Sequence, residues 1–265
     1  MGTGQKVTMI LFTIMGNVMN IFGRRFLLVI CIGFGLPLAQ VQAEEVLIAA
    51  EDDWIPYARS DGTGLANEII IAAYDSIGIK VRYNIYPYAR VLRLVSTGKY
   101  VAGFNVPLDE ESKERYLLGK EPLYNAVSAY YQHSQMPLVA QSSQQLNSGR
   151  VIGVVRGYGY GDHYLELRKE GRIIELVSNS ESSNLKMLSA GRMDATIIYD
   201  KTANILLKQL KLQDIIEYAF INESTPIYLA FSKTHPKGQY FSDKFDEGMK
   251  LIKANGTYQR IMNAY

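Results

Sequence analysis

Short apolar runs rich in β-branched residues alternate with helical patterns along residues 44–265. In the first half of this stretch, glycines at 78 and 98 end two helical patterns that lie between apolar runs. Alternation of this kind predicts βαβ units and a mainly parallel sheet. The elements predicted here are strands at 46–50, 80–86 and 101–104, and helices at 65–77 and 88–97.

A second alternating set follows the polar stretch at residues 141–148. Each set contains a helix, a Gly-basic pair and a strand, at Gly98-Lys99 and again at Gly191-Arg192. This weak repeat predicts two α/β lobes whose strands point their carboxyl ends into a shared cleft. The later elements are predicted as strands at 151–155, 173–177, 195–199 and 228–231, and as helices at 162–169, 182–190, 201–210, from about 242, and through 258 to the end.

The first 43 residues have the pattern of an export signal. Arg24 and Arg25 precede a short apolar run at 26–39, and Val41-Gln42-Ala43 places small residues before a cleavage point at Glu44. The alternative, a membrane anchor, needs roughly 20 apolar residues, which is longer than this run. The first residues read as an extension, since Met15 or Met19 gives a more usual start. We therefore expect a cleaved signal peptide and a periplasmic protein.

Composition narrows the chemistry of the exported part. Cys31, the only cysteine, lies in the predicted signal, so the exported chain has no thiol for a disulfide, a nucleophile or a metal site. The net charge of +2 becomes about −1 once the three basic residues before Glu44 are removed, which gives no support to nucleic-acid binding. The three histidines lack metal-ligand spacing, and no Gly-x-Ser-x-Gly motif occurs. We expect no catalysis, cofactor or metal.

Several modest motifs occur in a specific order and spacing. They are Trp54-Ile55-Pro56-Tyr57, Gly64-Leu65-Ala66-Asn67-Glu68, Tyr86-Pro87-Tyr88-Ala89-Arg90, Glu114-Arg115, Glu121-Pro122-Leu123-Tyr124, Gly153-Val154-Val155-Arg156-Gly157, Gly191-Arg192-Met193-Asp194-Ala195 and Asn255-Gly256-Thr257-Tyr258. Through them the chain resembles the extracellular solute-binding proteins of family 3, the periplasmic receptors of polar amino-acid ABC transporters. The resemblance covers nearly all of residues 44–265.

The resemblance implies an α/β fold of the two-lobed, type II periplasmic-binding-protein kind. Lobe 1 would comprise residues 44–126 and 228–265, and lobe 2 would comprise 127–227, with hinge strands near 125–129 and 226–229. Hinge closure would bury a small polar solute, an amino acid or a related small carboxylate, for ABC-type uptake. The implied protein is a monomer whose partner is an inner-membrane permease.

Burial of a zwitterion requires fixed donors for its carboxylate and an acceptor for its ammonium group. In the family an arginine after the third strand binds the carboxylate; here that segment begins at Asn105 and offers Arg115 or, by spacing from Pro122, Lys113. An exposed basic residue on an acidic helix is the alternative for both. Arg90, which follows an aromatic turn, is a further candidate for binding the carboxylate. The alternative is that Arg90 lies on the polar face of a helix.

Other candidates lie after strands of either lobe. The turn Arg156-Gly157-Tyr158 can point backbone N–H groups at an anion. The family's ammonium acceptor corresponds to Tyr199 or Asp200, and a shift of one residue decides which of the two faces the cleft.

Three aromatic residues of the first lobe are further candidates for ligand contact. Trp54, Tyr57 and Tyr88 can form an aromatic wall for an apolar or cationic group.

One alternative function is a cyclohexadienyl-dehydratase-like enzyme, in which a cleft acid among residues 51–53 or Asp200 expels water. The other is a ligand-sensing module for a separate membrane receptor.

Overall fold

The structure, a computed structural model, describes residues 44–265. The predicted signal peptide, the alternative start residues and Cys31 lie outside the described residues. Within 44–265, no helix combines the length and the apolar character that crossing a membrane requires.

The secondary structure follows the predicted alternation. The strands are β1 Glu45–Glu51, β2 Asp53–Trp54, β3 Ala58–Arg59, β4 Lys80–Tyr86, β5 Ala102–Pro107, β6 Tyr116–Leu118, β7 Tyr124–His133, β8 Arg150–Val155, β9 Ile173–Ser178, β10 Ala195–Tyr199 and β11 Ile216–Ser232. The α-helices are α1 Leu65–Asp75, α2 Tyr88–Ser96, α3 Glu110–Arg115, α4 Asp162–Lys169, α5 Glu181–Ser189, α6 Asp200–Leu210, α7 Gly238–Ala254 and α8 Thr257–Asn263. A 3-10 turn spans Ser143–Gln145.

One curled sheet carries nearly all the strands, in the order β4-β1-β5-β11-β7-β10-β8-β9, with β6 also paired to β11. β1 runs parallel to β4 and β5, and β8 runs parallel to β9 and β10. These two parallel groups are the sheets of the two lobes. They are joined at the centre by antiparallel pairing of β7 with β11.

β7 and β11 are the two crossing strands. β11 pairs with β5 and β6 through its last residues and with β7 along most of its length. It is far longer than the predicted strand at 228–231, because residues 216–227 are also extended and paired with β7. Pro226 lies opposite Asn125 in this ladder. The predicted lobe boundaries, at 126/127 and 227/228, fall within these strands and stay a prediction.

The ends of the strands determine where the polar groups gather. β1 ends at Glu51, β5 passes Asn105 near its end, and β10 ends at Tyr199. In parallel strands, the carboxyl ends share one edge of the sheet, and ligands of open α/β folds bind outside that edge. The two lobes therefore present their strand ends, and the loops that follow them, to a common cleft.

Candidate functional site

The centre of the cleft is lined by residues from both lobes. We use the name central cleft for the residues around this point: Glu51, Trp54, Tyr88, Asn105, Pro107, Tyr158, Gly159 and Tyr199. The first five belong to lobe 1, and the last three to the turn after β8 and the end of β10 in lobe 2. Both lobes therefore contribute side chains to one small void of about 10 Å³.

Glu51 lies at the centre and is 1% exposed. Its Oε2 accepts a hydrogen bond from Asn105 Nδ2 at 2.9 Å, and its Oε1 lies 2.5 Å from the hydroxyl of Tyr158 in the opposite lobe. Burial raises the pKa of the Glu51 carboxyl to about 8, because desolvation outweighs both hydrogen bonds and nearby Asp52 and Asp53 add like charge. The protonated acid can donate to the Tyr158 oxygen, and Tyr158 can donate to the carbonyl of Asp53 at 3.1 Å.

Asn105 organises the lobe 1 side of the central cleft. Its side chain donates to Glu51 and accepts from the Tyr124 hydroxyl at 2.7 Å, while its backbone oxygen accepts from the Tyr88 hydroxyl at 3.1 Å. Its φ of 66° lies in the left-handed region, which asparagine tolerates better than most residues. The local backbone is thus shaped to hold one amide between three partners.

An aromatic wall faces Glu51. Ring centroids lie 4.6 Å apart for Trp54 and Tyr199, and 5.2 Å apart for Tyr88 and Tyr158, so both pairs join the two lobes. Behind Trp54, Tyr57 packs at 4.4 Å and stacks on Tyr124. Trp54 is 2% exposed, and its indole Nε1 is buried without a hydrogen-bond partner among the described residues.

A second small void is also lined by residues of both lobes. It is lined by Asp53, Ile55, Glu181, Ser182, Thr202 and Leu206. Glu181 is 4% exposed, and within residues 44–265 it accepts a hydrogen bond from the Tyr199 backbone N–H at 3.4 Å. Desolvation raises the pKa of Glu181 well above its ordinary value. The Thr202 hydroxyl donates to the Ile55 carbonyl at 2.6 Å, a direct hydrogen bond between the lobes.

A larger flanking cavity of about 330 Å³ opens beside the central cleft, also between the lobes. Its charged lining residues are Asp109, Glu111, Arg115, Arg156, Arg168 and Glu175. Arg115 pairs with Glu111 at 3.1 Å and Arg168 with Glu175 at 3.8 Å, while Arg156 Nε lies 3.5 Å from Asn179 Oδ1. Acidic and basic groups are therefore balanced in this cavity.

The structure brings together five of the predicted binding residues in the central cleft: Trp54, Tyr88, Asn105, Tyr158 and Tyr199. Tyr57 supports the wall from behind. Arg115, Arg156 and Gly157 line the flanking cavity instead. Their roles in ligand contact stay predictions.

Three other candidates lie outside both linings. Arg90 is exposed, with its guanidinium 4.7 Å from the ring centroid of Tyr86, and Lys113 is paired with Glu110 at 2.7 Å. Asp200 begins α6, where its Oδ1 accepts from the Lys201 backbone N–H at 2.6 Å. Tyr199, and not Asp200, is thus the residue that lines the central cleft.

Glu181 and Thr202 were not found by sequence reasoning. Both lie in the first turn of a helix, where a polar residue is usually explained by helix capping or helix charge. Glu51 was considered only as one of three adjacent acids. Its position at the end of β1 distinguishes it from Asp52 and Asp53, because a strand end of this fold faces the cleft. Among residues 44–265, no cluster of metal-ligating side chains occurs.

Comparison with known proteins places this geometry in context. No family model matches the chain. An arginine-binding periplasmic protein of Mannheimia haemolytica is 21% identical over 231 residues, which is 84% of this chain and 92% of that protein. A histidine kinase sensor domain with similarity to periplasmic binding proteins superposes with a TM-score of 0.72 at 16% identity, covering 83% of this chain and 95% of the other. The chain has the periplasmic-binding-protein fold.

The predicted two-lobed α/β class is thereby confirmed, as is the resemblance to amino-acid solute-binding proteins of family 3. An ancestral arginine-binding protein bound to arginine shares this binding-protein fold, with a TM-score of 0.71 at 19% identity over 83% of this chain and 97% of the other. The hinge predicted near residues 125–129 and 226–229 falls in β7 and β11, and its role as a hinge stays a prediction.

Proposed function

We propose that this protein is a periplasmic solute-binding protein that closes its two lobes around a small polar solute. The observation that carries the proposal is the contact between Glu51 and Tyr158, in which polar groups of opposite lobes meet at the strand ends at 2.5 Å. A cleft with convergent polar groups and an aromatic lining is the usual form of a small-molecule site. The similar proteins named above, two of which are called arginine-binding, support the same role.

The solute class is a further part of the proposal. The sequence predicted an amino acid or a related small carboxylate, and the names of the similar proteins keep amino acids among the first compounds to test. The flanking cavity of about 330 Å³ is large enough for part of such a molecule. The buried acids Glu51 and Glu181 add amines to the classes that the cleft can accept.

Location and partner follow from the same proposal. The predicted signal at residues 1–43 and the periplasmic relative support export to the periplasm. There the closed, loaded form would deliver its solute to an ABC permease of the inner membrane. Binding would leave the solute chemically unchanged.

A thermal-shift screen of the refolded, ligand-free protein tests the function. The panel contains amino acids, amines, small carboxylates and prephenate-like acids, and each bound compound is recovered and identified by mass spectrometry. A ligand at about 100 times its dissociation constant adds about 2.7 kcal/mol to stability, enough to raise the midpoint by several degrees. A shift with unchanged compound supports the proposal, and a panel without any shift contradicts it.

One observation favours a second candidate, a dehydratase-like enzyme. The Glu51 carboxyl is protonated near neutral pH, as a general acid that expels water must be. Glu51 also touches Tyr158 of the opposite lobe, so closure would isolate it from solvent. In the same screen, recovery of a dehydrated product would establish this enzyme, and its loss in Glu51→Gln would identify the acid.

A further inference from the structure

The chemistry of the ligand can be narrowed further, on the assumption that the proposed function holds and a solute binds between the lobes. Two buried carboxyl groups from opposite lobes contact aromatic residues of the central cleft, Glu51 at the Tyr158 hydroxyl and Glu181 at the Tyr199 backbone N–H. Glu51 of lobe 1 is 1% exposed and Glu181 of lobe 2 is 4% exposed. The charge of an ionised Glu51 adds to desolvation in raising the pKa of the Glu181 carboxyl.

The positive groups that would normally offset such acids are absent from their surroundings. Among the described residues, neither the lining of the central cleft nor that of the void beside Glu181 contains a lysine or an arginine. In the flanking cavity Arg115 and Arg168 are paired with Glu111 and Glu175, while the exposed Arg156 contacts the neutral amide of Asn179. Without a ligand, burial keeps both carboxyl groups protonated, and a cation bound beside them would supply the counter-charge that lets them ionise.

The aromatic wall suits the same occupant. Trp54, Tyr88, Tyr158 and Tyr199 surround the carboxyl of Glu51 with ring faces and edges. A desolvated ammonium or guanidinium group gains from such faces as well as from the carboxylate. A free carboxylate placed among these side chains would lie beside two acids without a fixed positive donor, which is costly.

An independent observation indicates that a ligand atom completes the site. Trp54 lines the void beside Glu51, and its buried indole N–H has no acceptor within the described part of the chain. Buried donors in native proteins are nearly always paired. A hydroxyl or amide oxygen of a ligand would supply the acceptor, next to the cationic group held by Glu51.

We propose that the solute is a small organic cation that carries no carboxylate, such as an amine or guanidine compound with a neutral hydroxyl or amide oxygen. Its cationic group replaces the Tyr158 hydroxyl as the partner of Glu51, and Glu181 balances charge from the other lobe. Tyr158 lies half-buried on a turn between Gly157 and Gly159, and its hydroxyl would exchange Glu51 for the Asp53 carbonyl that it already contacts at 3.1 Å. The proposed ligand thus differs from the α-amino acids in having no carboxylate.

Matched compounds that differ only at the carboxylate test this inference. Isothermal titration calorimetry of the full protein would compare arginine with agmatine and argininamide, lysine with cadaverine and lysinamide, and serine with ethanolamine and serinamide. The expected result is that, in at least one series, the amine or amide binds at least tenfold more tightly than its parent amino acid.

The other outcomes overturn the inference in distinguishable ways. If an amino acid binds as tightly as its decarboxylated or amidated form, or if a neutral or anionic solute of the broader panel binds best, the protein is still a binding protein but its ligand class is wrong. If every compound of both panels fails to bind, the inference falls together with the proposed function.

Variants locate the binding in this cleft. Glu51→Gln preserves shape and hydrogen bonds while removing the charge, and it is expected to weaken the binding of the preferred cation at least tenfold. Glu181→Gln is expected to weaken it several-fold. Glu114→Gln, an exposed acid outside the cleft, is the matched control and should leave binding unchanged. Unchanged affinity in both cleft variants, with folding verified by circular dichroism, would overturn the site.

Discussion

At the scale of single residues, the raised pKa of Glu51 makes the stability of the folded protein depend on pH. Its ordinary pKa is 4.5, and burial raises it to about 8. Between these values, the folded state keeps a proton that the unfolded state releases, so folding is most favoured below the lower value and loses this contribution as the pH rises towards 8. Each pKa unit of difference corresponds to about 1.4 kcal/mol. The raised pKa of Glu181 acts in the same direction.

The first prediction is that the unfolding midpoint of the ligand-free protein falls between pH 5 and pH 8. In Glu51→Gln, which cannot ionise, the midpoint should fall by less, and this variant should be more stable than the wild type at pH 8. The acidic and phenolic groups whose charge interacts with that of Glu51 are Asp52, Asp53, Tyr88, Tyr124, Tyr158, Glu181 and Tyr199. Calorimetry measures the unfolding midpoint of both proteins across this pH range. If the midpoint falls equally steeply with pH in both, Glu51 does not cause the loss of stability.

A second prediction separates the two contributions of Asn105. Its side chain bridges Glu51 and Tyr124, and its φ of 66° disfavours residues with a Cβ. Asn105→Gly loses only the hydrogen bonds, whereas Asn105→Ala also strains the backbone, by roughly 1 kcal/mol. Urea denaturation should therefore rank stability as wild type, then Gly, then Ala. Equal stability of the two variants would contradict the backbone argument.

At the scale of elements, the packing of α7 on α1 supports the outer face of lobe 1. Gly248 of α7 is buried, and a methyl group at this position would collide with the backbone carbonyl of Ala73 in α1. The collision involves backbone atoms, so the helices must move apart. The close approach of these helices therefore depends on the glycine.

The third prediction follows from this packing. Gly248→Ala should destabilise the protein by about 1–3 kcal/mol, despite alanine's better helix propensity, because overpacking displaces two helices. Lys250→Ala, two residues further along α7 and exposed, is the control and should change stability little. Thermal unfolding measures both. A stabilised Gly248→Ala protein would show that helix propensity outweighs the contact.

Much of this element-level structure could be predicted from the sequence. The periodicity placed β4 at 80–86 and α4 at 162–169 with the observed bounds, since strong apolar alternation and glycine stops are local signals. The first part of β11 was missed, although residues 216–221 are rich in apolar and aromatic residues; the polar residues 222–225 that follow them interrupt this pattern and are ordered by pairing with β7. The helix opened by Asp200 places Tyr199 as the last strand residue facing the cleft, a choice that depends on a one-residue register.

The site could also be predicted only in part, because local motifs are visible in the sequence and contacts between the lobes are not. Aromatic residues next to Pro56 and at strand ends could be recognised from local motifs, as with Trp54 and Tyr88. Which acid is buried could not, because burial depends on the opposite lobe: Glu51 is covered by Tyr158, more than 100 positions away in the chain. Arg115 was expected to bind an anion, but it lies one helical turn from Glu111 and pairs with it at 3.1 Å.

At the scale of the whole molecule, closure depends on few direct hydrogen bonds between the lobes. The buried Thr202 hydroxyl donates to the Ile55 carbonyl at 2.6 Å, and the Glu110 backbone N–H donates to Asp162 Oδ1 at 3.1 Å. These bonds hold only the closed form. A ligand that requires closure therefore benefits from them without touching them.

The fourth prediction is that Thr202→Val, which is nearly isosteric, weakens ligand binding about three- to tenfold, the equivalent of one hydrogen bond. The rate of ligand release should rise while the association rate changes little. Thr97→Val, at the exposed end of α2, is the control and should bind as the wild type does. Stopped-flow kinetics separates the two rates, and an unchanged release rate in Thr202→Val would contradict the role of this bond.

The measurement that tests the central claim most directly is the distance between the lobes with and without ligand. Spin labels are attached at Lys99→Cys in lobe 1 and Lys186→Cys in lobe 2, both exposed positions. Pulsed electron paramagnetic resonance measures the distance between them. Cys31→Ser removes the chain's own thiol, so that labelling is confined to these two sites. Saturation with the tightest-binding amine of the matched series should convert a broad distribution into a shorter, narrow one. An unchanged distribution in the saturated protein would contradict closure of the two lobes around the solute.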